Sequence, residues 1–276
     1  MADDTDFCAD QVRRFDHDRY LTALFAPAAA RPALLALYAF NVEVARVRET
    51  VSEPLIGQIR LQWWRDAIAE LAGGRARKHP VVEALTAVLA RGVRPDDFET
   101  LLLAREQDLT DEPPATLAAL EAYAEGTSGS LARMAATILG GTDAAAQEAA
   151  RQVGTAWALT GTLRAVPFLA RQRRSRLPAD LVAQAGLDID AMYEGRPGPP
   201  LAPVARAIAD AATARLVHAR ALRAHRHVHA ALLPATLADL HLRRLRRRGF
   251  ALFDPALLRP AGGAGRLVLA ALLRRY

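Results

Sequence analysis

Carboxylates spaced one helical turn apart are the residues of this chain best suited to chemistry. Glu49/Glu53, Asp66/Glu70 and Glu121/Glu125 each stand at i,i+4, a spacing that puts both side chains on one helix face. Such pairs supply the hard oxygen ligands that Mg²⁺ takes when it is bridged to a phosphate. Their settings argue against that use. Glu53 precedes Pro54, so its pair falls at a helix end, and Asp66/Glu70 follows Trp63-Trp64-Arg65 on a face suited to solvent. Glu121/Glu125, just ahead of the small residues 126–130, is the best placed. For all three pairs the pattern favours surface carboxylates or salt-bridge partners.

His218, His225, His227 and His229 form a second constellation, with His225 and His229 one turn apart. A metal would need a third ligand from elsewhere, and the HExxH arrangement is absent. Interleaved Arg223 and Arg226 point instead to a solvated, pH-responsive face. The arginine-rich runs 171–176 and 243–248 suit a solvated helix face, an acidic partner or anionic lipid. No nucleic-acid module surrounds them and aromatic residues for base stacking are sparse, so no nucleic acid is expected as partner. Trp63 and Trp64 are adjacent and cannot share a face, which places one in the core and the other at its rim.

The elements that must position these residues are helices. Hydrophobic residues make up 51% of the 276 and aromatics only 6%, a mixture that favours helix over strand. Long alternating β-branched segments are missing, and the expected class is all-α. Periodicity and punctuation predict helices over 11–26, 32–51, 55–71, 80–91, 98–108, a long one reaching 139, 144–165, 177–185, 202–233, 235–248 and 265–275. Pro167 is read as ending the seventh of these. No linker is long enough to divide the chain, so one domain over 1–276 is expected.

Cys8 is the only cysteine, which excludes a disulfide framework or a thiolate metal centre. The acidic start Met1–Asp10 does not read as a signal peptide, and no window reaches the length of a membrane span. Residues 1–150 carry 15 Lys+Arg against 23 Asp+Glu, whereas 151–276 carry 21 against 7. A basic second half suits acidic lipid headgroups, an acidic protein or a diphosphate.

Four separated segments resemble the squalene/phytoene synthase family. They are Arg31 to Glu49; Tyr123-Ala124-Glu125-Gly126-Thr127-Ser128-Gly129-Ser130; Ala158 to Pro167 with the continuation Arg176-Leu177-Pro178-Ala179-Asp180-Leu181; and Leu242 to Phe250 with Phe253-Asp254-Pro255. The resemblance implies a helical bundle of the isoprenoid synthase type around a central cavity. In the family, two aspartate-rich motifs on facing helices hold Mg²⁺ against a prenyl diphosphate. Here the first motif's positions carry Ala45, Arg46 and Glu49, and the second's carry Ala165 and Leu169, with Arg164 kept. Without those carboxylates, ionisation of an allylic diphosphate lacks its electrophilic assistance. The expectation is therefore no catalytic residue, no metal and no cofactor. A remnant cavity is expected to be lined by Tyr20, Tyr38, Asn41, Arg46, Glu49, Gln62 and Arg164, where Arg46 and Arg164 would grip an anionic headgroup directly.

Gln62-Trp63-Trp64-Arg65, Tyr123-Ala124-Glu125 and Leu163-Arg164-Ala165-Val166-Pro167-Phe168 further resemble a divergent branch of that family that serves respiratory complex I assembly. That likeness implies a non-catalytic role beside complex I subunits or assembly intermediates, with an isoprenoid or lipid ligand. It places the protein in the cytoplasm, peripheral at the inner face of the membrane. The alternative is a working Mg²⁺-dependent head-to-head prenyl transferase that makes squalene or phytoene through Glu49 and displaced carboxylates.

Overall fold

The computed structural model describes the chain apart from Met1, Ser52, 223–225, 259–261 and Arg274, and it leaves the side chains of 2–5, 226 and 258 undescribed. The described residues form helices and turns without strands. In order, α1 (Ala2–Phe15), α2 (His17–Ala23), α3 (Arg31–Ala45), α4 (Val47–Thr50), α5 (Pro54–Ala72), α6 (Pro80–Ala84), α7 (Thr86–Leu89) and α8 (Pro95–Glu106) make the first half. A 3₁₀ turn (Gln107–Leu109), α9 (Leu117–Ala124), a π turn (Glu125–Gly129), α10 (Ser130–Ile138) and α11 (Ala144–Arg171) follow. The chain closes with α12 (Ala179–Ala185), α13 (Ile189–Tyr193), α14 (Leu201–Ala221), a 3₁₀ turn (Arg226–Val228), α15 (His229–Leu232), α16 (Pro234–Arg247), α17 (Pro255–Leu258) and α18 (Ala264–Leu273).

The axis of the bundle is α11, packed against α9, α10, α14, α16 and the π turn. It is started by Asp143, whose carboxylate accepts from the Ala146 N–H at 2.9 Å, satisfying one of the unpaired donors of a first turn. Its expected end at Pro167 is not where the helix stops; α11 runs through the proline to Arg171. A proline removes one i→i−4 bond, but Val166, Pro167 and Ala170 are all buried, and their packing carries the helix past it. On the other side of the core, Phe40 of α3 meets Trp64 and Phe98 edge-on at centroid distances of 5.2 and 5.1 Å, the arrangement aromatic pairs prefer. Trp64 is buried while Trp63 is half-buried against His79, 5.5 Å away.

Five expected helices are broken in ways periodicity alone does not reveal: 11–26 divides at Asp16 and 80–91 at Leu85. The segment 32–51 divides at Arg46, and the segment leading to 139 contains the π turn. The predicted 202–233 helix stops at Ala221. Ala219 and Val228 are both fully buried, yet nine residues at 3.6 per turn would put them on opposite sides of one straight helix. Ending α14 at Ala221 releases Val228 from that helix's phase, and both face inward. His225 of the histidine constellation lies outside the described residues. His229 is bonded to the Arg275 carbonyl at 2.8 Å. Among the described residues no group of three or more His, Cys, Asp or Glu is placed to hold a metal, and no helix is long and apolar enough to cross a membrane.

Candidate functional site

A cavity of about 720 Å³ opens between α1, α2, α11, α16 and the residues Leu252, Leu257, Gly262, Gly263 and Ala264. Two helical stripes make its walls. On α11, Trp157, Gly161, Arg164 and Phe168 recur at i, i+4, i+7 and i+11, and on α16, Leu237, His241, Arg244 and Leu245 recur at i, i+4, i+7 and i+8. Gly161 leaves the wall open, since a Cβ there would meet nothing within 4 Å. Phe15, Leu21, Leu252 and Leu257 add apolar surface. Charge enters through Arg14, Arg164 and Arg244 against Asp16 and Asp18.

Each of these carboxylates is already engaged. Asp18 meets Arg164 at 3.2 Å, and Asp16 meets Arg19 at 2.7 Å. Arg19 also donates to the Ser128 hydroxyl at 2.6 Å, which ties α2 to the π turn. The Arg164 guanidinium lies 5.5 Å from the Trp157 ring centroid and that of Arg46 lies 3.9 Å from the Phe15 ring centroid, both within cation–π range. The lining therefore combines apolar side chains with three guanidinium groups.

His241 is 9% exposed beside Trp157. Burial, and then the charges of Arg164 and Arg244, hold its imidazole down to about 3. The unfolded chain binds that proton near 6.5, so between the two values the unfolded state holds more protons than the folded one. Stability is full above about pH 6.5 and falls as pH drops toward the folded value, by about 1.4 kcal/mol per pH unit for this group. His241→Phe should remove this contribution: urea midpoints followed from about pH 7 to about pH 4 should fall less steeply than in the parent chain. Parallel curves would refute the assignment.

The seven residues expected to line a cavity are scattered. Arg164 lines this one; Arg46 touches its edge through Phe15. Tyr20 is half-buried and stacks on His17 at 6.3 Å. Tyr38 is in the core, and burial pushes its hydroxyl up to about 12. Glu49 is exposed and 3.5 Å from Arg46. Gln62 is exposed and donates to Asp66 at 2.8 Å, so neither contributes to the cavity wall. Asn41 is buried and accepts from Arg105 at 3.3 Å.

Asn41 belongs to a second, compact polar cluster. Arg105 donates to Asp108 and to the Tyr123 hydroxyl, each at 3.0 Å; Tyr123 donates to Asp108 at 2.7 Å, and Arg176 closes on the same carboxylate. Burial opposes the Arg105 charge, but Tyr123 and Asp108 more than offset it and hold the guanidinium above its ordinary value. The paired carboxylates are likewise spent on ion pairs. Glu125 meets Arg151, Glu121 lies 3.4 Å from Arg215, and Glu70 lies 2.8 Å from Arg77. Glu53 is the residue before α5 and is exposed. The acidic first half and basic second half thus meet inside the fold.

The Mg²⁺–diphosphate grip that the family resemblance implies does not fit this donor set. Ala45, Ala165 and Leu169 carry no ligand atom. Glu49, the one carboxylate left, is solvent-facing and beside a guanidinium. What the cavity offers an anion is direct contact with arginine. Sequence reasoning missed Arg14, Asp18, Trp157, Phe168, His241 and Arg244. A signal existed, because both helical stripes interrupt apolar positions with a polar residue at helical spacing.

Residues 12–263 match the family Squalene/phytoene synthase. The chain belongs to that family. Complex I assembly factor 6 of Mus musculus is 32% identical over 256 residues, which covers 91% of this chain and 76% of that protein. The Homo sapiens counterpart is 31% identical with the same coverage. Among solved structures, a dehydrosqualene synthase in complex with ligand superposes with a TM-score of 0.82 at 18% identity, covering 99% of this chain and 96% of its own. Squalene synthase HpnC from Alicyclobacillus acidocaldarius gives 0.79 at 19% identity, covering 90% and 94%. The squalene/phytoene synthase fold, an all-α bundle of the isoprenoid synthase type, is therefore the architecture of this chain.

Proposed function

We propose that this chain is a catalytically degenerate squalene/phytoene synthase that serves as an assembly factor for respiratory complex I. The observation that carries the reading is its similarity, across 91% of its length, to proteins named complex I assembly factor 6. The donor set supports the same reading, because the positions that would grip Mg²⁺ hold alanine, leucine and a paired, exposed glutamate. In this role it works without a metal or other cofactor, beside complex I subunits or assembly intermediates, with an isoprenoid or lipid in the cavity. Its place is the cytoplasm, peripheral at the inner face of the membrane. Removing the gene from its host should deplete assembled complex I on native gels and spare the other respiratory complexes. The parent chain and Glu49→Gln should restore it equally; undiminished complex I in the deletion strain would reject the proposal.

The superposition on a dehydrosqualene synthase over 99% of the chain favours a second reading, a working head-to-head prenyl transferase. Purified protein with Mg²⁺ and farnesyl or geranylgeranyl diphosphate separates the two. Squalene or phytoene formed by the parent chain and lost in Glu49→Gln would reverse the assignment.

A further inference from the structure

The arginine runs singled out in the sequence are poor candidates for a free basic surface. Arg173, Arg174 and Arg176 are paired with Asp190, Asp111 and Asp108. Arg246 and Arg248 are paired with Asp210 and Asp254. Further positive charge lies around α18. Residues 264–276 contain three arginines and no acidic residue. Arg266 and Arg275 border Leu269 and Leu273 in a shallow groove with Arg243. Asp239, the acidic residue of that groove, is held by Arg220 at 2.6 Å and lies 3.9 Å from Arg243, which leaves Arg266 and Arg275 as its cations away from that carboxylate.

The helix between these arginines is apolar on two opposite sides. Leu267 is 1% exposed and anchors it to the bundle beside α16. Val268, Leu269, Leu272 and Leu273 stand 47%, 57%, 76% and 56% exposed, a stripe at i, i+1, i+4 and i+5 along one face. A second chain segment extends the stripe. Phe25, 39% exposed in the turn after α2, lines one groove with Val268 and Leu272. Grouped apolar side chains rimmed by cations match a bilayer interface, where the stripe enters the acyl boundary and arginines meet anionic headgroups. A helix of ten residues spans about 15 Å and lies along such a surface without crossing it.

We infer that α18, with Phe25 beside it, is the face by which this protein docks on an anionic lipid bilayer. This rests on the peripheral-membrane part of the proposed function and names the surface responsible. Flotation with phosphatidylcholine vesicles, with and without phosphatidylglycerol, tests it. The parent chain should float with the anionic vesicles and be released by salt. Leu269→Ser/Leu272→Ser should lower partition about tenfold or more. Arg266→Glu/Arg275→Glu should abolish the preference for anionic over neutral vesicles. Leu55→Ser/Ile59→Ser, at positions 63% and 61% exposed on α5, should float like the parent. Because all these side chains are exposed, each variant should keep the parent's thermal transition.

If the α18 variants float like the parent, the face is wrong and the peripheral placement stands. If the parent floats with neither vesicle, both fail. A parent chain that sediments as a dimer, made monomeric by the leucine variant, would assign the face to a second copy and overturn the inference.

Discussion

Gly154→Ala should lower stability by about 3 kcal/mol, against the usual sign for such a change. Glycine inside a helix ordinarily costs about 0.5–1 kcal/mol relative to alanine, so the substitution is expected to help wherever space permits. At Gly154 the added Cβ would lie 2.2 Å from the Ser128 carbonyl oxygen, with the Ser128 carbonyl carbon and Ala132 Cβ each at 2.8 Å. Two of the three clashing atoms are backbone atoms of the π turn, which a rotamer change cannot move aside. The turn is also fixed from other sides, by Arg19 on the Ser128 hydroxyl and by Thr127, which donates to the Tyr123 carbonyl at 2.8 Å. Gly161→Ala, on the same helix with nothing within 4 Å, is the matched control and should gain up to about 1 kcal/mol. Urea unfolding of the pair reads the contrast directly. Equal stability of Gly154→Ala and the parent would mean that α11 and the π turn do not approach as described.

Asp108→Ala is expected to cost about 3–5 kcal/mol, the range seen when one partner of a buried ion pair is removed. The carboxylate accepts from Arg105 at 3.0 Å, from Tyr123 at 2.7 Å and from Arg176. Its loss strands two guanidinium groups that are 15% and 18% exposed, and Arg105 Nε already lacks a partner. Asp108→Asn keeps the shape and part of the bonding while removing the charge, and should fall between. Tyr123→Phe deletes one hydroxyl and should cost about 1 kcal/mol. The ordering Ala, then Asn, then Tyr123→Phe is the test, read from unfolding midpoints. Should Asp108→Ala prove as mild as Tyr123→Phe, Arg105 would have to be solvated rather than buried.

Much of this architecture could be read from the chain before folding. Helices at 55–71, 98–108 and 235–248 sit close to where periodicity and punctuation put them, because each buries one stripe and ends at a glycine, a proline or a polar turn. What failed were expectations of where helices stop and where they continue. Pro167 was outweighed by buried neighbours, and the helix expected over 202–233 ends at Ala221, which lets Ala219 and Val228 both face the core. Neither pressure is local, so neither is visible in a window of sequence. That positions 45, 165 and 169 hold Ala45, Ala165 and Leu169, without a ligand atom, was legible because it depends on residue identity alone. The cavity wall was not. Of the expected residues Arg164 lines the wall, but Gln62 and Glu49 sit on motif-bearing helices and face water, whereas His241 is brought to Arg164 by the packing of α16 on α11. Which face of a helix turns inward is decided by its neighbours.

The π turn at Glu125–Gly129 also constrains how the chain can vary in length. One residue more than an α-helix would use has been wound into it, so everything downstream is rotated by about 100° relative to an uninterrupted helix. Leu131, Met134 and Ile138 reach the interior only because of that phase shift. Trimming a single amino acid here would straighten the segment and swing all three toward solvent, whereas removing a whole helical turn on either side would preserve the angle. Natural relatives of this chain should therefore conserve spacing across this stretch more strictly than they conserve its residue types.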